Sequence, residues 1–201
     1  MKRRVSRPEM QGKILDATDR LLARYGYRKM TIDDLAREVG IGKGSIYLHF
    51  RSKQEVVYSH IDRVIDRLLE RLKSIVRSRQ SLADKVREMI VLRVMFRFDS
   101  VQHFPESLSD MFRDLRPGIH RLRQSHFRQE ARLFAAALKE GQRNRTFRRG
   151  DCLAAAYAIL TATNSLLPFH LSTRELGKRR DVEKAVTLIS DLLLQGILSR
   201  Q

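Results

Sequence analysis

Apolar residues recur three and four positions apart along almost the whole chain, with no sustained alternation of the kind that marks strands. The spacing predicts an all-α fold. A first helix is expected from about Glu9 to Tyr25, with Ile14, Leu15, Thr18, Leu21, Leu22 and Tyr25 on one face and Gly26 as its stop. A second starts at Thr31, where Thr31 and Asp34 have the form of a capping box, and ends at Gly40. A third covers Lys43 to Phe50. Ser52 with Glu55 is another box, opening a long helix along Val57, Ile61, Val64, Leu68, Leu72 and Ile75. Ser81 with Asp84 caps the next, which ends near Phe98. Pro105 and Pro117 divide the following stretch into a short helix and a longer one, about Ile119 to Gln142. The last two helices are expected at Asp151 to Phe169 and Arg180 to Leu198. Three short helices followed by long ones suggest a small N-terminal module, residues 1–52, feeding a larger helical bundle, residues 53–201.

The candidate chemistry lies in residues 31–50, T-I-D-D-L-A-R-E-V-G-I-G-K-G-S-I-Y-L-H-F. Ile32, Leu35, Ala36 and Val39 form a single apolar stripe, and small Ala36 lets another helix cross closely. Gly40 can take the left-handed conformation that ends a helix, Ile41 can enter the core of the turn, and Gly42 leads into the next helix. Two short helices joined by a glycine-containing turn form a helix-turn-helix, whose second helix reads the DNA major groove. With Ile46 and Phe50 facing inward, that helix presents Lys43, Gly44, Ser45, Tyr47, Leu48 and His49. Lys43 can donate to guanine O6 and N7, and Ser45 can donate or accept with several bases. Tyr47 and His49 suit phosphate oxygens, while Gly44 lets DNA approach the backbone. Lys53, in the first turn of the following helix, is a candidate phosphate anchor.

These residues resemble the TetR family of bacterial transcription regulators. The resemblance spans Ile14 to about Val57: a first helix ending in Tyr25-Gly26-Tyr27, then M-T-I-D-D-L-A-R-E-V-G-I-G-K-G-S-I-Y-L-H-F-R-S-K-Q-E-V-V. Weaker echoes follow in L-K-E-G-Q-R-N-R-T-F-R-R-G-D from Leu138 and in L-L-L-Q-G-I from Leu192. What the resemblance implies is a chain of about nine helices, an N-terminal helix-turn-helix DNA-binding domain followed by a C-terminal ligand-binding and dimerisation bundle. It further implies a homodimer that holds a near-palindromic operator and is released by a small-molecule effector. The DNA-binding candidates are then Thr31, Gly42, Lys43, Gly44, Ser45, Tyr47, Leu48, His49 and Lys53. The chain departs from the family at Gly42, where Ser or Thr is common, and at Leu48, where a polar or aromatic residue is frequent. Leu48 could meet a thymine methyl.

The bundle offers weaker signals. Met89, Met95, Phe96, Phe104 and Phe112 could line an adaptable effector pocket, with Tyr157 and Asn164 as polar groups, although ordinary core is the plainer reading. The final helices carry more apolar surface than one face needs, which points to a second chain. Leu160, Leu167, Ile189, Leu193 and Ile197 are the candidate dimer contacts.

Charge and composition limit the alternatives. The 201 residues hold 40 Lys or Arg against 23 Asp or Glu, a formal +17 that favours nucleic acid. Only +6 of this lies in residues 1–60, whereas Arg113 to Arg149 holds 11 cations against 3 acids. That region could steer an anionic effector, or be a solvated basic face that attracts any DNA. A basic DNA-architectural or nucleoid-associated protein without ligand control is therefore the alternative function. The glycines at 40, 42 and 44 follow no strand and lack the Lys-Ser/Thr pair of a phosphate loop. The six His residues include no i, i+4 pair, so no metal is expected. No cofactor and no enzyme constellation stand out. One Cys, an N-terminus without an apolar stretch, and a 22-residue uncharged run, Cys152 to Thr173, broken by Thr, Asn, Ser, Pro and His, suggest a cytoplasmic protein without a membrane span.

Overall fold

The computed structural model describes residues 6–102, 107–167 and 177–198, and among these every regular element is helical. The helices are α1 (Arg7–Lys29), α2 (Ile32–Val39), α3 (Lys43–Tyr47), α4 (Lys53–Arg77), α5 (Leu82–Val101), α6 (Ser107–Asp114), α7 (Arg116–Arg143), α8 (Cys152–Ala162) and α9 (Arg179–Ile197). None of the described helices is long and apolar enough to cross a membrane.

The expected stop and start signals act much as their chemistry dictates, with informative shifts. Gly26 takes φ 71°, but instead of ending α1 it kinks it, and one more turn runs to Lys29. Thr31 accepts from the Asp34 N–H at 3.1 Å, and the Asp34 carboxylate accepts from the Thr31 N–H at 3.0 Å, a complete capping box. At Ser52 the box is half made. The Ser52 hydroxyl accepts from the Glu55 N–H at 3.1 Å, while the Glu55 carboxylate reaches one residue further back, to the Arg51 N–H at 2.6 Å. Pro117 lies within the first turn of α7 rather than before it, where its missing N–H costs nothing.

Two expected helices prove too long. α3 stops at Tyr47 rather than Phe50. α8 stops at Ala162, and a 3-10 turn, Asn164–Leu166, takes over; the rest of the run expected to reach Phe169 lies outside the described residues beyond Leu167. A buried arginine explains the second. The Arg93 guanidinium donates to the Leu160 carbonyl at 3.3 Å, the Thr163 hydroxyl at 2.8 Å and the Asn164 side chain at 2.8 Å. A cation at a helix C-terminus takes up carbonyls that the next turn would otherwise use.

The chain packs as two compact units. One holds α1 to α3, α4 as far as Val64, α6, and α7 as far as Leu122; the other holds the remainder of α4, α5, the rest of α7, α8 and α9. The first is therefore wider than the 1–52 segment that carries the reading motif, because α6 packs on α1. Its core includes Ile14, Leu21, Leu35, Ile46, Phe50 and Val57.

The second unit has its own apolar core, in which Leu68, Leu72, Met89, Ile90, Phe98, Phe134 and Val186 are buried. Within it α5 and α7 place an ionic cluster. Arg93 and Glu130 are 2% and 1% exposed at the side chain and bond at 2.6 Å, and Arg97 donates to the other Glu130 oxygen. Burial opposes the charged form of Glu130, but Arg97 and Arg93 together outweigh it and hold the carboxyl below its ordinary range. For Arg93 burial wins, lowering its pKa to about 10 despite Glu130.

Candidate nucleic-acid interface

The helix-turn-helix is built from α2 and α3. Gly40 adopts φ 76°, ψ 35°, the left-handed conformation in which a side chain would be strained, and its N–H and that of Ile41 both bond the Ala36 carbonyl at 2.9 Å. The turn is thus closed by backbone alone, and Ile41 is half-buried rather than enclosed. Ile32, Leu35 and Ala36 from α2 and Ile46 from α3 are buried together with Phe50. This leaves one side of α3 in solvent.

On that side Tyr47 is 47% exposed and Leu48 75%, the least covered large apolar residue among the described residues. Gly42 and Gly44 are exposed, with open space where a Cβ would stand. Gly42 caps α3 without a side-chain bond. Ser45 is half-buried beside them. Lys43 is exposed, but its ammonium donates to the Asp33 carboxylate at 2.9 Å, and this bond raises the lysine's pKa.

Three expected contacts are set differently. Thr31 spends its hydroxyl on the α2 cap, donating to Asp34 at 2.6 Å. His49 is half-buried, and its Nδ1 is enclosed without a hydrogen-bond partner among the described residues. The Lys53 ammonium lies 4.3 Å from the centre of the Tyr27 ring and 3.4 Å from the Arg28 carbonyl, with burial lowering its pKa. It is held by α1 at the edge of the face.

The other candidates fall apart into separate groups. Met89 and Met95 are buried in the second unit's core, against which Phe96 and Tyr157 pack; Asn164 is bound to Arg93; Phe112 belongs to the first unit; Phe104 lies outside the described residues. An open cleft of about 580 Å³ among Ser78, Arg79, Lys85, Glu140, Asn144 and Thr146 includes none of them. Of the dimer candidates, Leu160 and Leu167 are enclosed. At 0% and 2% exposure they face the core of their own unit. Ile189, Leu193 and Ile197 are half-buried, while Leu188 at 62%, Leu192 at 59% and Leu153 at 43% are the large apolar side chains that α9 and α8 leave in solvent.

Two groups were missed. Asp33, in the first turn of α2, reaches Lys43 across the motif although ten residues separate them in sequence. Arg93 and Arg97 stand four apart in M-I-V-L-R-V-M-F-R-F, residues 89–98, where no other residue is polar. That spacing signals a shared buried face.

A capped helix, a three-residue glycine turn and a second short helix with its polar residues outward define a helix-turn-helix protein. Residues 14–58 match the family model described as bacterial regulatory proteins, tetR family. It is 30% identical over 93 residues to the transcriptional repressor KstR2 of Mycobacterium tuberculosis, a match covering 46% of this chain and 44% of that protein. The chain spans 23–44% of the length of the curated relatives it matches. Similarity of fold extends further. A transcriptional regulator from Cytophaga hutchinsonii superposes with a TM-score of 0.78 at 20% identity, covering 92% of this chain and 97% of that one. FadR from Bacillus subtilis, solved with stearoyl-CoA, gives 0.65 at 16% identity over 92% and 98%.

Proposed function

We propose that this protein is a homodimeric, cytoplasmic transcriptional repressor that binds a near-palindromic DNA operator and leaves it when a small molecule enters the bundle. The observation that carries the reading is the solvent-facing side of α3, where Lys43, Gly44, Ser45, Tyr47 and Leu48 surround a buried Ile46. DNA reading belongs to residues 1–52, and dimerisation and effector binding to residues 53–201. KstR2, a repressor, and FadR, solved with an acyl thioester, support repression and effector control by likeness.

Each protomer lays α3 into a major groove, so the two reading helices stand roughly 34–36 Å apart, or a multiple of that. Lys43 reads guanine after giving up Asp33, Ser45 and Tyr47 bond base edges and phosphates, and Leu48 covers a thymine methyl. The apolar residues Leu188 and Leu192, four apart on α9, supply the dimer contact with Leu153 of α8. An effector that prefers the protomer spacing incompatible with DNA weakens binding by its differential affinity.

Separate Lys43→Ala and Tyr47→Ala variants test the reading on the DNA upstream of the gene. Each should weaken binding by about 1–3 kcal/mol and relax the preference at its own position. Unchanged affinity and preference in both variants would refute it.

A further inference from the structure

We infer that the outward face of α7 is a second, sequence-independent binding surface for the phosphate backbone of double-stranded DNA. The inference goes beyond the reading by α3 and rests on different residues. On α7 the inward side is filled by Glu130, Ala131, Phe134, Ala137, Leu138 and Gly141, all buried. Opposite them stand Arg128, Arg132, Lys139 and Arg143, all exposed. At about 100° per residue their spacing of four, seven and four confines them to roughly 60° of arc, and at about 1.5 Å per residue they extend over about 22 Å. The line of charge continues in sequence through Arg145 and Arg149, exposed in the turn after the helix.

Among the described residues, none of these six cations has a carboxylate within ion-pair distance. Several acids of the same unit are paired with other cations: Glu130 with Arg93 and Arg97, Glu140 near Lys85, Asp84 and Asp191 with Arg87, Glu70 with Lys73, and Asp99 and Glu183 with Arg179. An ordinary solvated face would mix signs; this one is of a single sign along one edge.

A linear row of cations fits a linear polyanion, whose condensed counterions are released when its phosphates are neutralised. The neighbours on the outer face are Ser125, Gln129 and Ala136, so the surface has no large apolar side chain to insert into a bilayer. The geometry therefore favours a nucleic-acid backbone over a membrane. It would let a protein seated on one site hold a second stretch of duplex, or add sequence-independent affinity.

The test uses the full chain carrying Lys43→Ala and Tyr47→Ala, so that the reading helix is disabled, with a 30-base-pair duplex of random sequence as probe. Arg128→Gln, Arg132→Gln, Lys139→Gln and Arg143→Gln are then added together. A control set instead removes four exposed cations of the same unit, Arg67, Arg77, Lys178 and Arg180, giving an equal change of net charge. The α7 set should weaken binding at least about tenfold at low salt and reduce the slope of log affinity against log salt by about 2–4, while the control set changes affinity less than about threefold. Equal losses in both sets would reduce the surface to bulk charge and overturn the inference. So would no loss in the α7 set, or tighter binding to phosphatidylglycerol vesicles than to the duplex at equal salt. Circular dichroism melts verify that each variant is folded. Because the Lys43 and Tyr47 variants alone test the α3 reading, either claim can fail while the other stands.

Discussion

Arg28, in the last turn of α1, grips Asp114 at the end of α6 through two parallel hydrogen bonds, Nε to Oδ2 at 2.9 Å and Nη2 to Oδ1 at 3.1 Å. The pair fixes a helix from beyond the reading motif onto α1, which packs against α2 of the motif. The hydrogen bond from Arg28 holds the Asp114 carboxyl below its ordinary pKa. A depressed carboxylate contributes stability above its unfolded value, about 4, and loses it as pH falls through the lower folded value. Asp114→Asn should therefore lower the urea midpoint at neutral pH, and its difference from the parent should shrink as pH falls below the ordinary carboxylate range. A difference independent of pH would assign the loss to something other than the ion pair.

Glu130 pairs with two guanidiniums that have left water. Removing one partner of a buried ion pair costs about 3–5 kcal/mol, because the remaining charge is stranded. Glu130→Ala should destabilise the chain by that amount in urea unfolding, and since Arg93 also binds Thr163 and Asn164, it should loosen the end of α8. Amide hydrogen exchange would show faster exchange around residues 160–166, whereas unchanged stability and exchange would contradict the role given to the cluster.

Gly118 is buried in α7 against the ring of Tyr58, whose hydroxyl donates to the Leu115 carbonyl at 3.3 Å. A methyl group at position 118 would overlap that ring. Gly118→Ala should cost about 1–3 kcal/mol by overpacking. Combined with Tyr58→Ala it should cost less than the sum of the single changes, in a double-mutant cycle read by thermal melts. Additivity would show that the two residues do not meet.

Much of this was legible from the sequence, and the failures have physical causes. Short local signals were sufficient for the reading motif: a Thr-x-x-Asp cap, an apolar stripe and a glycine at the turn define α2 and α3 with few long-range terms. Helix α8 was overextended because its end is imposed by Arg93, 70 residues from Thr163 in sequence. Leu160 and Leu167 could not be separated from Leu188 and Leu192 by hydropathy, since which leucines face inward is decided by the helix packed against them. Lys53 reads as a free cation until Tyr27, brought alongside by the kink at Gly26, covers it.

Leu188 and Leu192 give the dimer a direct test. Replacing both by Glu places charge on the exposed face of α9 without entering the protomer's core. The proposed dimer predicts that sedimentation shows the parent as a dimer and the variant as a monomer, with the helical circular dichroism retained. An unaltered dimer would move the interface to another surface.

Asp33 holds Lys43 in the absence of DNA and places a negative charge beside the reading helix. Asp33→Asn frees the lysine and removes the repulsion, so affinity for duplex DNA should rise and the salt slope should steepen by about one. Unchanged affinity and slope would mean that Asp33 stands clear of the bound DNA.

The central claim, that α3 reads DNA as one half of a symmetric pair, is tested most directly by selecting bound duplexes from a random pool at physiological salt and sequencing them. The account predicts a near-palindromic consensus whose half-site centres lie about 10–10.5 base pairs apart, or a multiple of that, and which Lys43→Ala and Tyr47→Ala each degrade at defined positions. A pool that remains random, or a consensus that survives both substitutions, would contradict it.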